Sequence, residues 1–175
     1  GMEAVWYANL IRNANNPDII DGAEGFMDVS GGVTPLEGIV GGIMGVGHTS
    51  GVHEAGNPHY LLDPIEGIRV AELVARRLSK MLPDLAVDFA ENLDKFRDPL
   101  AKALMGEALA ERHDVVQIAD MYMAGTLDAF LEQQGHGVAL QGWFGELKAY
   151  RGTVVVGDHD LWPYFSRRIG LSVVG

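Results

Sequence analysis

The sequence predicts a helix-rich α/β fold, and three observations carry the prediction. Val154-Val155-Val156 is a short β-branched run, followed by a helical stretch over 161–169 and a second run, Ser172-Val173-Val174. Strand, helix and strand in that order form a parallel pair. After Asp63-Pro64, the residues Ile68, Ala71, Val74, Leu78 and Met81 recur at three- and four-residue spacing, the stripe of a helix with one buried face. Helical patterning then continues with few interruptions to residue 148.

In chain order, residues 4–15 form an amphipathic helix through Val5, Trp6, Ala8, Leu10 and Ile11, and Asn15-Asn16-Pro17 terminates it. Ile19-Ile20 is a short strand candidate. From Gly22 to Gly56 glycine is dense and periodicity is weak, which reads as a long loop or a set of very short strands. Asp63 caps the next helix and Pro64 suits its first turn. Pro83-Asp84 restarts a second helix carrying Leu85, Phe89, Leu93 and Phe96, and Pro99 opens a third with Leu100, Ala103, Leu104 and Leu109. Residues 114–148 read as helices broken at Gly125, Gly135-His136-Gly137 and Gly142, with Leu127, Phe130, Leu131, Trp143, Phe144 and Leu147 as core. Arg151-Gly152 then turns into Thr153 and the valine strand, and Gly170 closes the helix that follows.

The 175 residues suit one ordinary domain, and 47% hydrophobic content is enough for a core. With 24 acidic against 13 basic residues the net charge is −11, which argues against nucleic-acid or anionic-lipid partners and mildly favours approach of a cation. Zero cysteines excludes disulfides and thiolate metal sites, so a bound metal must use His, Asp, Glu or water. The first residues lack the charged and apolar segments of an export signal, and Gly1-Met2 reads as a tag remnant. No enzyme is indicated: no nucleophile elbow surrounds Ser30, Ser50, Ser79, Ser166 or Ser172, and no phosphate-cradling glycine loop or His-Glu-x-x-His helix occurs.

Two histidines stand at segments that stiff neighbours would hold. His59 lies in Gly56-Asn57-Pro58-His59-Tyr60-Leu61-Leu62-Asp63-Pro64, between a rigid proline and the start of a helix. His159 lies in Gly157-Asp158-His159-Asp160-Leu161-Trp162-Pro163-Tyr164-Phe165, past the carboxyl end of the valine strand, where open α/β sheets bind ligands. A neutral imidazole so held suits a borderline-soft cation such as zinc. The plain alternative for both is a histidine that only caps or packs. Asp158 and Asp160 share the face opposite His159 and read as helix cap and as partners of ligands. His48 and His53 in the glycine-rich stretch are too few for a strong metal trap. His113 and His136 read as solvated and without a role.

Both motifs occur in order. Asn16-Pro17-Asp18-Ile19, Gly25-Phe26-Met27-Asp28-Val29-Ser30 and Thr34-Pro35-Leu36-Glu37-Gly38 precede them, and Arg168-Ile169-Gly170-Leu171 follows. Together these segments resemble the metal-binding (zinc or manganese) solute-binding proteins of ABC transporters over nearly the whole chain. The resemblance implies parts of two parallel-sheet α/β lobes joined by a long helix, an incomplete chelatase-like, helical-backbone metal receptor. Residues 1–63 would end the first lobe, 64–150 would form the linking helix and helical region, and 151–175 would start the second lobe. His59 and His159 are then the ligands. Zinc is the cargo with manganese as the alternative, because members favouring manganese tend to carry a carboxylate where this chain has His159. Asp158 departs from the Tyr or Phe common before that histidine. The resemblance further implies a periplasmic or cell-surface protein that hands a divalent ion to an ABC permease. Members are longer at both ends, so the chain is expected to be a fragment with an incomplete site, able to form a homodimer through exposed strand edges. Two other readings stay open: a metal-binding adhesin of the same family, and a helical interaction domain whose histidines are incidental.

Overall fold

The central helix begins where the sequence provides both a cap and a preset backbone angle. Asp63 accepts the Ile65 amide at 2.9 Å and Pro64 occupies the first helical position, so α2 runs from Pro64 to Met81. The computed structural model describes residues 4–36, 56–134, 139–158 and 160–174. Among these, α1 (Ala4–Ala14) precedes α2, and α3 (Ala86–Met105), α4 (Glu107–Ala110), α5 (Val115–Ala124), α6 (Leu127–Gln133) and α7 (Gly142–Leu147) follow it. The chain closes with β1 (Val154–Val156), α8 (Pro163–Ile169) and β2 (Ser172–Val174). The two strands pair in parallel, Val154 opposite Ser172 and Val156 opposite Val174, as the strand–helix–strand pattern predicts. The result is a helix-rich structure with one small parallel sheet.

The core gathers residues from α2 to α8. Ile65 and Ile68 of α2, Leu104 and Met105 of α3, Ile118 of α5, Phe144 of α7 and Ile169 of α8 are all buried together. Tyr122 stacks on Phe144 with ring centroids 4.6 Å apart. Gly142 lets α7 approach α3 closely: it adopts φ 61°, and a Cβ there would lie 2.3 Å from the Ala103 carbonyl oxygen. No helix among the described residues is long and apolar enough to cross a membrane.

Four local expectations need correction. Pro99 does not open a third helix; it lies inside the continuous α3. An interior proline costs about 3 kcal/mol. The turns beyond it bury Leu104 and Met105, each contributing roughly 1.5–3 kcal/mol, so burial outweighs the break. Ile19-Ile20 is not a strand. The Asn16 side chain takes the Asp18 amide at 2.9 Å and Pro17 sets the backbone, so Pro17–Ile19 curls into a 3-10 turn. Trp143 is 47% exposed, because successive helical residues point about 100° apart and Phe144 takes the inward position. His113 is not solvated: it is half-buried and packs edge-on against Phe130 at 5.4 Å. Of the glycine-rich stretch, Val29–Gly32 forms a 3-10 turn, and residues 37–55 lie outside the described residues.

Candidate metal site around the Asn57-His59 turn

Two segments far apart in sequence meet at the start of α2. Pro58 leads into the turn His59–Leu62, and α8 packs against that turn. Between them stands the buried side chain of Asn57. Its Oδ1 accepts the His59 backbone N–H at 2.9 Å and the His59 ring Nδ1–H at 3.0 Å. Its Nδ2 donates to the Asp160 carbonyl at 3.0 Å and to the Asp160 carboxylate at 2.9 Å. An amide oxygen only accepts, so Nδ1 carries the proton and the neutral ring's lone pair lies on Nε2. That is the arrangement in which a histidine presents Nε2 to a cation while its other nitrogen is held by a supporting group.

Tyr164 fixes the backbone of the same turn. Its hydroxyl donates to the Asn57 carbonyl at 3.0 Å and accepts the Leu36 amide at 3.0 Å, while the Leu36 carbonyl accepts the Asn57 N–H at 3.0 Å. Burial pushes the Tyr164 phenol up, which keeps the hydroxyl protonated and able to donate. Tyr60 packs edge-on to Tyr164, and Val33 closes the small apolar cluster around them.

Four residues beyond Tyr164, Arg168 anchors the other end of α8. It is 3% exposed and donates from Nε to Asp63, itself 2% exposed, at 2.9 Å. Its remaining nitrogens reach Glu66 at 3.3 Å and Asp120 at 3.1 Å. Arg69 pairs with the same Glu66 at 2.7 Å and takes both Asp120 oxygens at 2.8–2.9 Å. Burial pushes the Asp63 carboxyl up, against the pull of Arg168. It does the same to Glu66, against Arg69 and with Asp63 adding to the rise. Glu66 Oε2 is buried without a hydrogen-bond partner among the described residues. Burial opposes the charge on Arg69 too, but Glu66 and Asp120 raise its pKa overall.

Removing Arg168 strands the buried carboxyl of Asp63 and leaves Glu66 with Arg69 alone. Arg168→Met is expected to lower stability by about 3–5 kcal/mol in urea unfolding, and Arg69→Met, whose partners are wetter, by less. The pH dependence has a definite sign. The folded pKa of Glu66 lies above its unfolded value, so its contribution is fully present below the unfolded carboxyl range near ~4.3 and is lost as pH rises through the folded value. The urea midpoint of the wild type should therefore fall relative to Glu66→Gln as pH is raised from about 4 to about 7.

Among the sequence-predicted residues, His59 stands in the turn as expected, and Asp160 contacts the group that holds it. Asp158 is exposed, and neither aspartate caps α8, whose N-cap position is Trp162. His159, His48, His53 and His136 lie outside the described residues. No group of three or more His, Asp or Glu set to hold a cation occurs among the described residues. Sequence reasoning missed the roles of Asn57, Tyr164 and Arg168. A pattern was available: Asp160, Tyr164 and Arg168 follow at four-residue spacing, a polar row running onto one face of a helix.

The family described as zinc-uptake complex component A, periplasmic (ZnuA) matches residues 1–115, which include the turn that carries His59. No curated protein and no solved structure matches the chain. The matched stretch is more than half of the sequence, and the chain belongs to the ZnuA family of periplasmic, metal-binding solute-binding proteins.

Proposed function

We propose that this chain carries zinc outside the cytoplasmic membrane for delivery to an ABC permease, with His59 and His159 as the ligands. The observation that carries the reading is the Asn57 amide, which presents His59 through Nε2 and bonds Asp160, the residue after His159 in sequence. Zinc is favoured over manganese by donor chemistry. The carboxylates beside the turn already have partners, Asp63 with Arg168 and Asp160 with Asn57, so hard oxygen donors are committed and imidazole nitrogen dominates the supply. On this reading residues 1–63 end one lobe, 64–150 link, and 151–175 start the second lobe. The exposed valines of β1, Val154 and Val156, support self-pairing along an open strand edge. Light scattering at rising concentration should then report a dimer, and a single monomeric mass throughout would remove that element.

Two imidazoles leave half of a tetrahedral shell to other donors, so zinc should bind more weakly than micromolar. Isothermal titration should show zinc preferred to manganese, with His59→Ala and His159→Ala each weakening zinc by at least about tenfold. Zinc binding that survives both substitutions would overturn the assignment.

A further inference from the structure

We propose that Asn57 is a positioning residue: its amide sets the tautomer of His59 and makes that tautomer depend on the seating of Asp160. The part that concerns ligation rests on the reading of His59 as a zinc ligand; the tautomer itself does not. All four hydrogen-bonding positions of the amide are used. Oδ1 accepts two N–H groups, both from His59, and Nδ2 donates twice, both times to Asp160. Turning the amide over would set NH₂ against the His59 backbone N–H, donor facing donor. It would also set the oxygen against the Asp160 carboxylate and carbonyl, acceptor facing acceptor. Only one orientation satisfies both sides, and that orientation leaves the His59 ring no choice but to donate from Nδ1.

The amide cannot drift to a compromise. Asn57 is buried, so water does not stand in for lost partners. Its backbone is held on both sides, N–H by the Leu36 carbonyl and C=O by the Tyr164 hydroxyl. The coupling follows from this. If the Asp160 turn left, Nδ2 would lose both acceptors, and the force that orients Oδ1 toward the imidazole would go with them. Asn57 thus transmits the presence of the later segment to the ring nitrogen that faces a cation. Alanine removes both halves of the device. Aspartate keeps the acceptor for His59 but faces the Asp160 carboxylate with a like charge, so it separates tautomer control from cross-linking.

The test uses the whole chain with ¹⁵N-labelled histidine and no metal. Two-bond proton–nitrogen spectra are recorded at about pH 8.5, above the ordinary imidazole range, with the His59 signals assigned by His59→Gln. The wild type should show His59 protonated on Nδ1 and unprotonated on Nε2. Asn57→Ala should shift the ring toward the Nε2–H form, and Asn57→Asp should restore Nδ1–H. Zinc added to the wild type should move the Nε2 resonance, and Asn57→Ala should weaken zinc about 10–100-fold. A wild-type ring protonated on Nε2 overturns the proposal without recourse to any variant. So does a folded Asn57→Ala protein that retains Nδ1–H. A wild type locked as Nδ1–H whose His59 signals ignore zinc would sink the ligand reading and leave the positioning role standing.

Discussion

The dry pair between Arg168 and Asp63 is the constraint on which the arrangement depends. It joins residues 105 apart in sequence, and both side chains are almost wholly removed from water. Such a pair adds little net stability compared with apolar packing, because desolvation offsets most of the attraction. Its value is specificity: a buried guanidinium can sit only where carboxylates await it. Asp63 serves two elements at once, one oxygen starting α2 and the other receiving α8. The start of the central helix and the docking of the last helix are therefore one event.

That docking is what brings the Asp160 turn beside Asn57. A single contact would let α8 pivot, and two contacts define a direction. Here three follow one another at four-residue spacing: Asp160 on the Asn57 amide, Tyr164 on the Asn57 carbonyl, and Arg168 on Asp63. The row also runs from half-buried to dry, since Asp160 keeps some exposure while Tyr164 and Arg168 keep almost none. The deep end supplies rigidity and the shallow end lies where an ion from solvent could reach. The net charge of −11 would assist that approach and hinder anions.

What the sequence made legible was local. Asp63-Pro64 announces a helix start because capping and the proline angle act within three residues, and the valine run announces β1 because β-branching and a flanking glycine turn suffice. The errors share a different cause. Pro99 reads as a boundary by local rules, yet the burial of Leu104 and Met105 lies downstream and outweighs them. Trp143 and Phe144 are equally apolar, and only packing against α3 and α5 decides which one turns inward. Asn16 shows the reverse case, a local side-chain bond that overrides the strand tendency of Ile19-Ile20. His59 was legible as a candidate because proline and a helix start flank it. The pairings of Asn57 with Asp160 and of Arg168 with Asp63 were not, since each spans about a hundred residues and no local rule names it.

The division of labour between the two polar hubs follows from their chemistry. Arg168 holds α8 through a rigid guanidinium fork that meets Asp63, Glu66 and Asp120, so it fixes the helix in the dry interior. An amide making four directed hydrogen bonds fixes orientation without charge, because each weakens steeply as its angle opens. Placing the charged hub deep and the neutral amide near the histidine keeps α8 in place while the ring nitrogen keeps its proton. Exchanging them would put a guanidinium, which only donates, beside His59, and the ring would have to accept through Nδ1 and carry its proton on Nε2.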